Sequence, residues 1–461
     1  MGWLGGTWVN EQDKPTLLFR KCLGLNDAKA FGTQKMDVDT GEVEFTDCIN
    51  LTVTDDGAVE KIPALTTALT HTAPISGISA GNRFMISDAV DTWEWLPGVS
   101  ITNRFPLVSG PVCHTPNDVR ITNGAKVYRS KDSAPTMQEA LVGVDPNPDT
   151  PEAFYAMPVF KQAFVYGAKI YSINAAKPKY LQYSEDYLYD LYRLSTSHIT
   201  SAQDVLQSGK IPGVLVTTHA TGVTVYKGTD PETGFTPRFY PCAPYDNTLY
   251  SGQISKNVGY LHIFLAEDGI YSVTPEGVFQ RLAESVDDIT AFNAGYACST
   301  VTDRKYLAFG NASCLEYDFK NKSVLKRSTL GISGACVFND KTYFSTGSTV
   351  VTSSGITDSG DALACSFTLP YSDLSAPGTK SIEALYFTGT INGDVTITAT
   401  DQEGESWSKD VSQEWVGVSN KRIKTPKRLL GNHISFKIEC TAGAFRMEEL
   451  RATFSASKRT R

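Results

Sequence analysis

Five short segments of the chain share one pattern, a Gly or loop residue followed by a strand that closes on an apolar or aromatic residue. They are Gly124 to Tyr128, Gly167 to Tyr171, Gly222 to Tyr226, the shortened Asp268 to Tyr271, and Gly347 to Val351; a looser copy ends at Glu316-Tyr317. The tyrosines at 128, 171, 226, 271 and 317 recur at a step of about 45 residues, the length that one four-stranded blade of a β-propeller consumes. The pattern begins near residue 71 and ends near 357, which leaves room for six or seven blade-like units. Within each unit the sequence reads as an alternating strand, a tight turn, the patterned strand, another turn and a return strand. The patterned strand of the first unit is either Gly81 to Met85 or Trp93 to Trp95. Tyr180 to Gln207 breaks the rhythm and reads as a helix or an ordered excursion.

Three units are expected along the 461 residues. Residues 1–70 form an irregular β lead-in, with turns at Asp37 to Gly41 and Asp55 to Gly57 around a strand at Cys48 to Val53. Residues 71–357 form the propeller. Residues 358–461 form a C-terminal antiparallel β-sandwich: Ile382 to Thr388, Asp394 to Thr400 and His433 to Thr441 alternate, and Asn392-Gly393-Asp394 makes a hairpin turn. The fold class expected is therefore all-β, and the 37 Gly and 22 Pro supply its turns.

A net charge of −8 gives no reason to expect nucleic-acid wrapping or anionic-membrane binding. Nine cysteines stand singly, without a C-x-x-C pair, and read as free thiols in a reducing cytoplasm. The opening Met1 to Gly6 resembles neither a signal peptide nor a myristoylation signal, and no apolar stretch is long enough to span a bilayer. No membrane anchor is expected.

Catalytic patterns are absent from the sequence. There is no H-E-x-x-H, G-x-S-x-G, Walker loop or G-x-G-x-x-G, and no Asp-box turn of sialidase type. His219 and His262 lie in predicted strands, where a core or surface role is the simpler reading. Asp145 to Asp149 has D-x-N-x-D spacing but lacks the following Gly and Glu of a calcium loop. Asp186, Glu267-Asp268 and Asp287-Asp288 supply carboxylates that the sequence leaves unpaired. The expectation is a protein that is not an enzyme and holds no cofactor and no metal. Tyr183, Tyr187, Tyr189 and Tyr192 are spaced for one face of a helix, or for display in loops. The one concentrated basic run is Lys421, Arg422, Lys424, Lys427 and Arg428. It reads as a solvated strand edge kept from pairing by its charges, or as a surface facing phosphate or a partner's acids.

Three regions together resemble the tail nozzle (tail hub) proteins of short-tailed bacteriophages. The first is Cys48 to Pro63, an asparagine–strand–Gly–strand–basic–Pro opening. The second runs from Lys179 to Ser184 through Gly209 to Gly213 and Gly222 to Tyr226 to Ala266 to Tyr271. The third is the basic-then-strand finish at Arg428 to Ile438. The resemblance implies a structural virion protein, made in the host cytoplasm and placed in the virion tail. It implies a homo-hexameric ring below the portal and adaptor proteins, around the exit channel for double-stranded DNA, with tail fibres or spikes outside. Lys421, Arg422, Lys424, Lys427 and Arg428 become possible partner or DNA-channel contacts. The second reading is a propeller-based receptor- or glycan-binding virion protein, and a glycoside hydrolase is the third.

Overall fold

The computed structural model describes residues 2–4, 7–9, 15–26, 34–63, 65–133, 136–143, 153–193, 198–228, 230–232, 234–246, 249–255, 258–283, 296–302, 304–310, 314–328, 331–353, 363–373, 379–411, 417–425 and 430–456. Side chains are described within these ranges except at 2–4, 7–9, 255, 296–298, 353, 417–421, 430 and 456. The described residues form strands, turns and bends without a helix.

Seven four-stranded antiparallel sheets follow one another along the described chain. They span 77–105, 112–139, 160–200, 207–241, 250–281, 296–327 and 332–353, and are called blades 1 to 7 in that order. Six of them take four strands in chain order. Blade 7 takes three and borrows its fourth, Leu65–Thr70, from before blade 1, pairing Thr349 with Thr70 and Ser353 with Leu65. The innermost strand of blade 7, Ile332–Phe338, also packs against that of blade 1, Gly77–Ala80, so the sheets close into a ring. The architecture is a seven-bladed β-propeller whose last blade is completed by an early strand.

The patterned strand of the sequence is the third strand of blades 2, 4, 5, 6 and 7, as at Val127–Lys131 and Gly222–Lys227. An innermost strand precedes the alternating one in each. In blade 1 Thr92–Leu96, which holds Trp93 and Trp95, fills that place. Blade 3 departs from the rule, because Tyr171 lies in its second strand, Lys169–Asn174. Its third strand is Tyr180–Tyr183 and its fourth is His198–Thr200. Between them the chain makes an excursion in which Tyr192–Arg193 pairs with Phe154–Tyr155.

The middle strands are covered on both faces rather than one. Val214–His219 and Cys314–Asp318 are buried at every position. Their Ser, Thr and His side chains are tolerated because they find hydrogen-bond partners: His219 reaches the hydroxyls of Thr217 at 3.0 Å and Thr224 at 3.1 Å. Strict alternation appears in the C-terminal strands instead, where Val395–Asp401 alternates buried and half-buried along its length.

Those strands belong to a two-sheet sandwich. One sheet orders Ser406–Asp410, Val395–Asp401, Ile434–Cys440, Cys365–Thr368 and Asp47–Ile49. The other is built on the long pair Lys380–Asn392 and Ala444–Ala456, with Gly417–Lys424 at one edge and Val59–Lys61 and Leu51–Val53 at the other. Thr16–Phe19 also pairs with Ala444–Ala456. The first 70 residues are thus distributed over both units, four short strands to the sandwich and one to blade 7. Phe45 and Phe367 stack at 4.7 Å in the shared core, and Phe19 stacks on Phe45 at 6.0 Å.

The strand expected at Cys48 to Val53 is broken at Asn50, which has φ 57°. Asp47–Ile49 enters one sheet and Leu51–Val53 the other, so Asn50 is the corner between them. Its left-handed backbone is held by its amide: the side-chain NH2 donates to Ala364 O at 2.7 Å, and its carbonyl accepts from Ser328 N and Oγ at 2.8 Å. Ser328 follows the outer strand of blade 6, Ser323–Arg327, so the same residue fastens the sandwich to the propeller.

Candidate functional site

The basic run occupies a sheet edge. Gly417–Lys424 pairs on one side only, with Lys380–Asn392, placing Arg422 opposite Tyr386 and Ile423 opposite Leu385. The two-residue period puts Arg422 and Lys424 on the exposed face while Ile423 enters the core. Lys421 is described in its backbone alone, opposite Phe387. Lys427 and Arg428 lie outside the described residues, as does Asp145 to Asp149.

The tyrosine group does not form a helix face. Tyr183 ends a strand and is buried, Tyr192 is buried in the excursion, and Tyr187 sits at a turn with φ 57° and 78% exposure. The excursion is pinned by Arg120 of blade 2. That buried guanidinium forks onto Asp118 at 3.0 and 3.1 Å, and reaches Asp190 Oδ1 and Tyr189 O at 2.8 Å. Arg129 pairs with the other oxygen of Asp190.

Titratable groups of the kind used in catalysis are dispersed. Among the described residues no three His, Cys, Asp or Glu side chains come together to hold a metal ion. Asp186 pairs with Lys169 at 3.0 Å in blade 3, while Asp268 accepts from Tyr271 OH at 2.6 Å in blade 5; Asp287-Asp288 lies outside the described residues. His262 is fully buried beside Ser251 Oγ, and burial pushes it down to about 3. Burial, with a smaller effect of Arg83, pushes His114 down to about 4. His219 and His262 sit in the second strands of blades 4 and 5, each held by neighbours in its own blade. Cys365 faces Cys440 across adjacent sandwich strands, and the two thiols hydrogen-bond.

The residues that converge lie at the seam between sandwich and propeller. Glu316, on the third strand of blade 6, is 1% exposed. Its carboxylate accepts from Thr52 Oγ1 at 2.7 Å, lies 3.3 Å from Lys305 Nζ and pairs with Arg327. Lys305 also donates to Val53 O at 3.1 Å. Burial, then the neighbouring Arg327 charge, pulls Lys305 down to about 8; burial pulls Arg327 down to about 10. Arg304 links Asp318 of blade 6 to Asp55 of the sandwich at the rim. A cavity of 650 Å³ opens beside this cluster, walled by the sandwich and blades 6 and 7. The sequence left it unseen, because Thr52, Lys305, Glu316 and Arg327 carry no shared spacing and meet only through the Asn50 corner.

No sequence-family profile and no curated protein matches the chain. Solved structures that resemble it are propeller proteins. YCF48 bound to D1 peptide is 10% identical over 67% of this chain and 100% of its own, with a TM-score of 0.43. Virginiamycin B lyase from Staphylococcus aureus is 14% identical over 63% of this chain and 98% of its own, with a TM-score of 0.42. The extracellular domain of the putative one component system BT4673 from B. thetaiotaomicron is 9% identical over 82% of this chain and 62% of its own, with a TM-score of 0.45. At such identities the likeness is one of fold alone, and it fits a propeller-based binding role.

Proposed function

We propose that the chain is a structural ring subunit of a short-tailed phage tail, the nozzle or hub around the DNA exit channel. The observation that carries this reading is a division of its surface. Nine of the fourteen large hydrophobics exposed among the described residues fall between Val90 and Leu188, in blades 1 to 3 and their linkers, and Val99 and Leu107 are each 80% exposed. The sandwich is clamped to blade 6, across the ring from them. A closed head-to-tail ring needs two different, rigidly related faces on each subunit, and this arrangement supplies them. The occupant of the blade 1 to 3 face is a second copy of the chain, in a homo-hexamer that meets portal and adaptor above and fibres or spikes outside. Arg422 and Lys424 then face a partner or the DNA path from the sandwich edge.

The test is quantitative peptide mass spectrometry on purified particles of the phage that encodes the chain. About half as many copies as portal subunits supports a hexameric nozzle; absence from the particle overturns it. A receptor- or glycan-binding role is the second reading, favoured by Tyr187, displayed at the tip of the blade 3 excursion. Binding on a glycan array that Tyr187→Ala abolishes would bring it forward.

A further inference from the structure

We propose that the seam cavity is a binding site for a small amphipathic anion, a single carboxylate or comparable acid on an apolar body. The acid group lies against Arg327 and Lys305, and the body runs along the walls. This assignment does not rest on the tail reading above.

Size is the first argument. A volume of 650 Å³ falls in the range of small-molecule pockets, well above what a few waters fill. Composition is the second. One stretch of wall is apolar, made by Ile62, Pro63 and Leu65 from the sandwich side and Leu307, Phe309 and Phe344 from blades 6 and 7. Such walls favour a hydrocarbon or aromatic body and give polar solutes little to bond.

Charge is the third argument, and it selects the sign. At the end of the cavity two cations, Lys305 and Arg327, share the one carboxylate of Glu316. Asp318, the next acid on that strand, is taken by Arg304 at 3.3 Å, and Glu60 on the wall faces Arg446 at 3.9 Å. Asp340 and Lys341 offset each other on the blade 7 side. A buried cluster with one positive charge in excess is costly unless an anion completes it. Arg327 Nε is buried and has no hydrogen-bond acceptor in the protein, so a donor is present for that anion. Arg327 and Lys305 stay charged at neutral pH only because Glu316 and the cavity's polar end support them, and a bound acid group strengthens that support.

The fourth argument is position. Sandwich, blade 6 and blade 7 each supply a wall, so a ligand here bridges three elements and stabilises their docking by mass action.

Octanoate is the probe, titrated into the full-length chain by calorimetry while thermal unfolding is followed in parallel. Saturable binding with a rise in Tm is expected. Octylammonium, with the same body and the opposite charge, is expected to bind at least about tenfold more weakly. Arg327→Met removes the donor but leaves Glu316 with one partner fewer, and so risks misfolding. Thr342→Trp, which fills the cavity from the blade 7 wall away from the ion cluster, is therefore the second variant and is expected to lose binding while keeping wild-type Tm without ligand. The proposal is overturned if wild type shows no saturable binding, if octylammonium binds as well as octanoate, or if Thr342→Trp binds like wild type.

Discussion

A methyl group at position 209 has nowhere to go. A Cβ there would lie 2.1 Å from Ser251 Oγ and 2.6 Å from His262 Cε1, where the innermost strand of blade 4 crosses blade 5 near the propeller axis. Gly209→Val is expected to cost about 1–3 kcal/mol by overpacking, read as a lower denaturation midpoint. Gly77→Ala, with no atom within 4 Å of the added carbon, is the control and should be close to neutral. The same crowding governs acid stability. His262 and His114 are held neutral, at about 3 and about 4, while the unfolded chain protonates histidine near its ordinary value of 6.5. Between pH 6.5 and about 4 the unfolded state therefore binds more protons, and stability falls as pH falls. Two such groups give a slope of up to about 2.7 kcal/mol per pH unit. Urea denaturation at pH 7, 5.5 and 4.5 measures it. His262→Gln should flatten the slope; an unchanged slope would rule out this histidine as its source.

The ring is held shut by an element the sequence does not advertise. Thr349 to Val351 was legible as a patterned strand, because Gly347 and the apolar finish are local signals. Its partner Leu65–Thr70 precedes it by more than two hundred residues and repeats no part of the blade pattern, so it reads as lead-in. Blade 3 shows the same limit: the Gly-Ala-Lys-Ile-Tyr phrase marks a strand but not its rank in the sheet, which pairing decides. Beyond Thr70 the closing strand is latched at His71, whose Nε2 meets Asp88 Oδ2 of blade 1 at 3.0 Å. Burial alone would raise the Asp88 carboxyl. Hydrogen bonds from Asp91 N, His71, Val90 N and Trp93 Nε1 outweigh it and hold the group at about 2. The stability it contributes is present above the ordinary 3.8 and is lost as pH drops towards 2. Asp88→Ala is expected to cost roughly 3 kcal/mol and to speed amide exchange at Leu65–Thr70 more than in blade 4. Uniform acceleration across all blades would mean that Asp88 supports blade 1 in general and latches nothing.

At the scale of the molecule, the two ends of the chain are one structure. The core that gathers Phe367, Phe387, Ile397 and Phe445 from the C-terminal residues also contains Phe19, Phe45, Leu51 and Val59 from the first 70, together with Leu325 of blade 6. Composition and alternation revealed the C-terminal strands; that half their cover comes from the other end of the sequence is a fact of long-range pairing, which no local pattern encodes. Residues 358–461 expressed alone are therefore expected to lack a cooperative unfolding transition and to bind hydrophobic dye, since each sheet loses strands and the open core loses large apolar side chains. Adding residues 1–63 as a separate chain should restore the transition, because Thr16–Phe19, Asp47–Ile49 and Val59–Lys61 pair with C-terminal strands directly. Cooperative folding of 358–461 without that addition would show that the N-terminal strands decorate the sandwich rather than complete it. The consequence reaches the propeller. A chain that runs from the sandwich core through Asn50 to the closing strand of blade 7 couples the docking of one unit to the closure of the other. Loosening the sandwich should then raise amide exchange at Leu65–Thr70 before it affects blades 2 and 3.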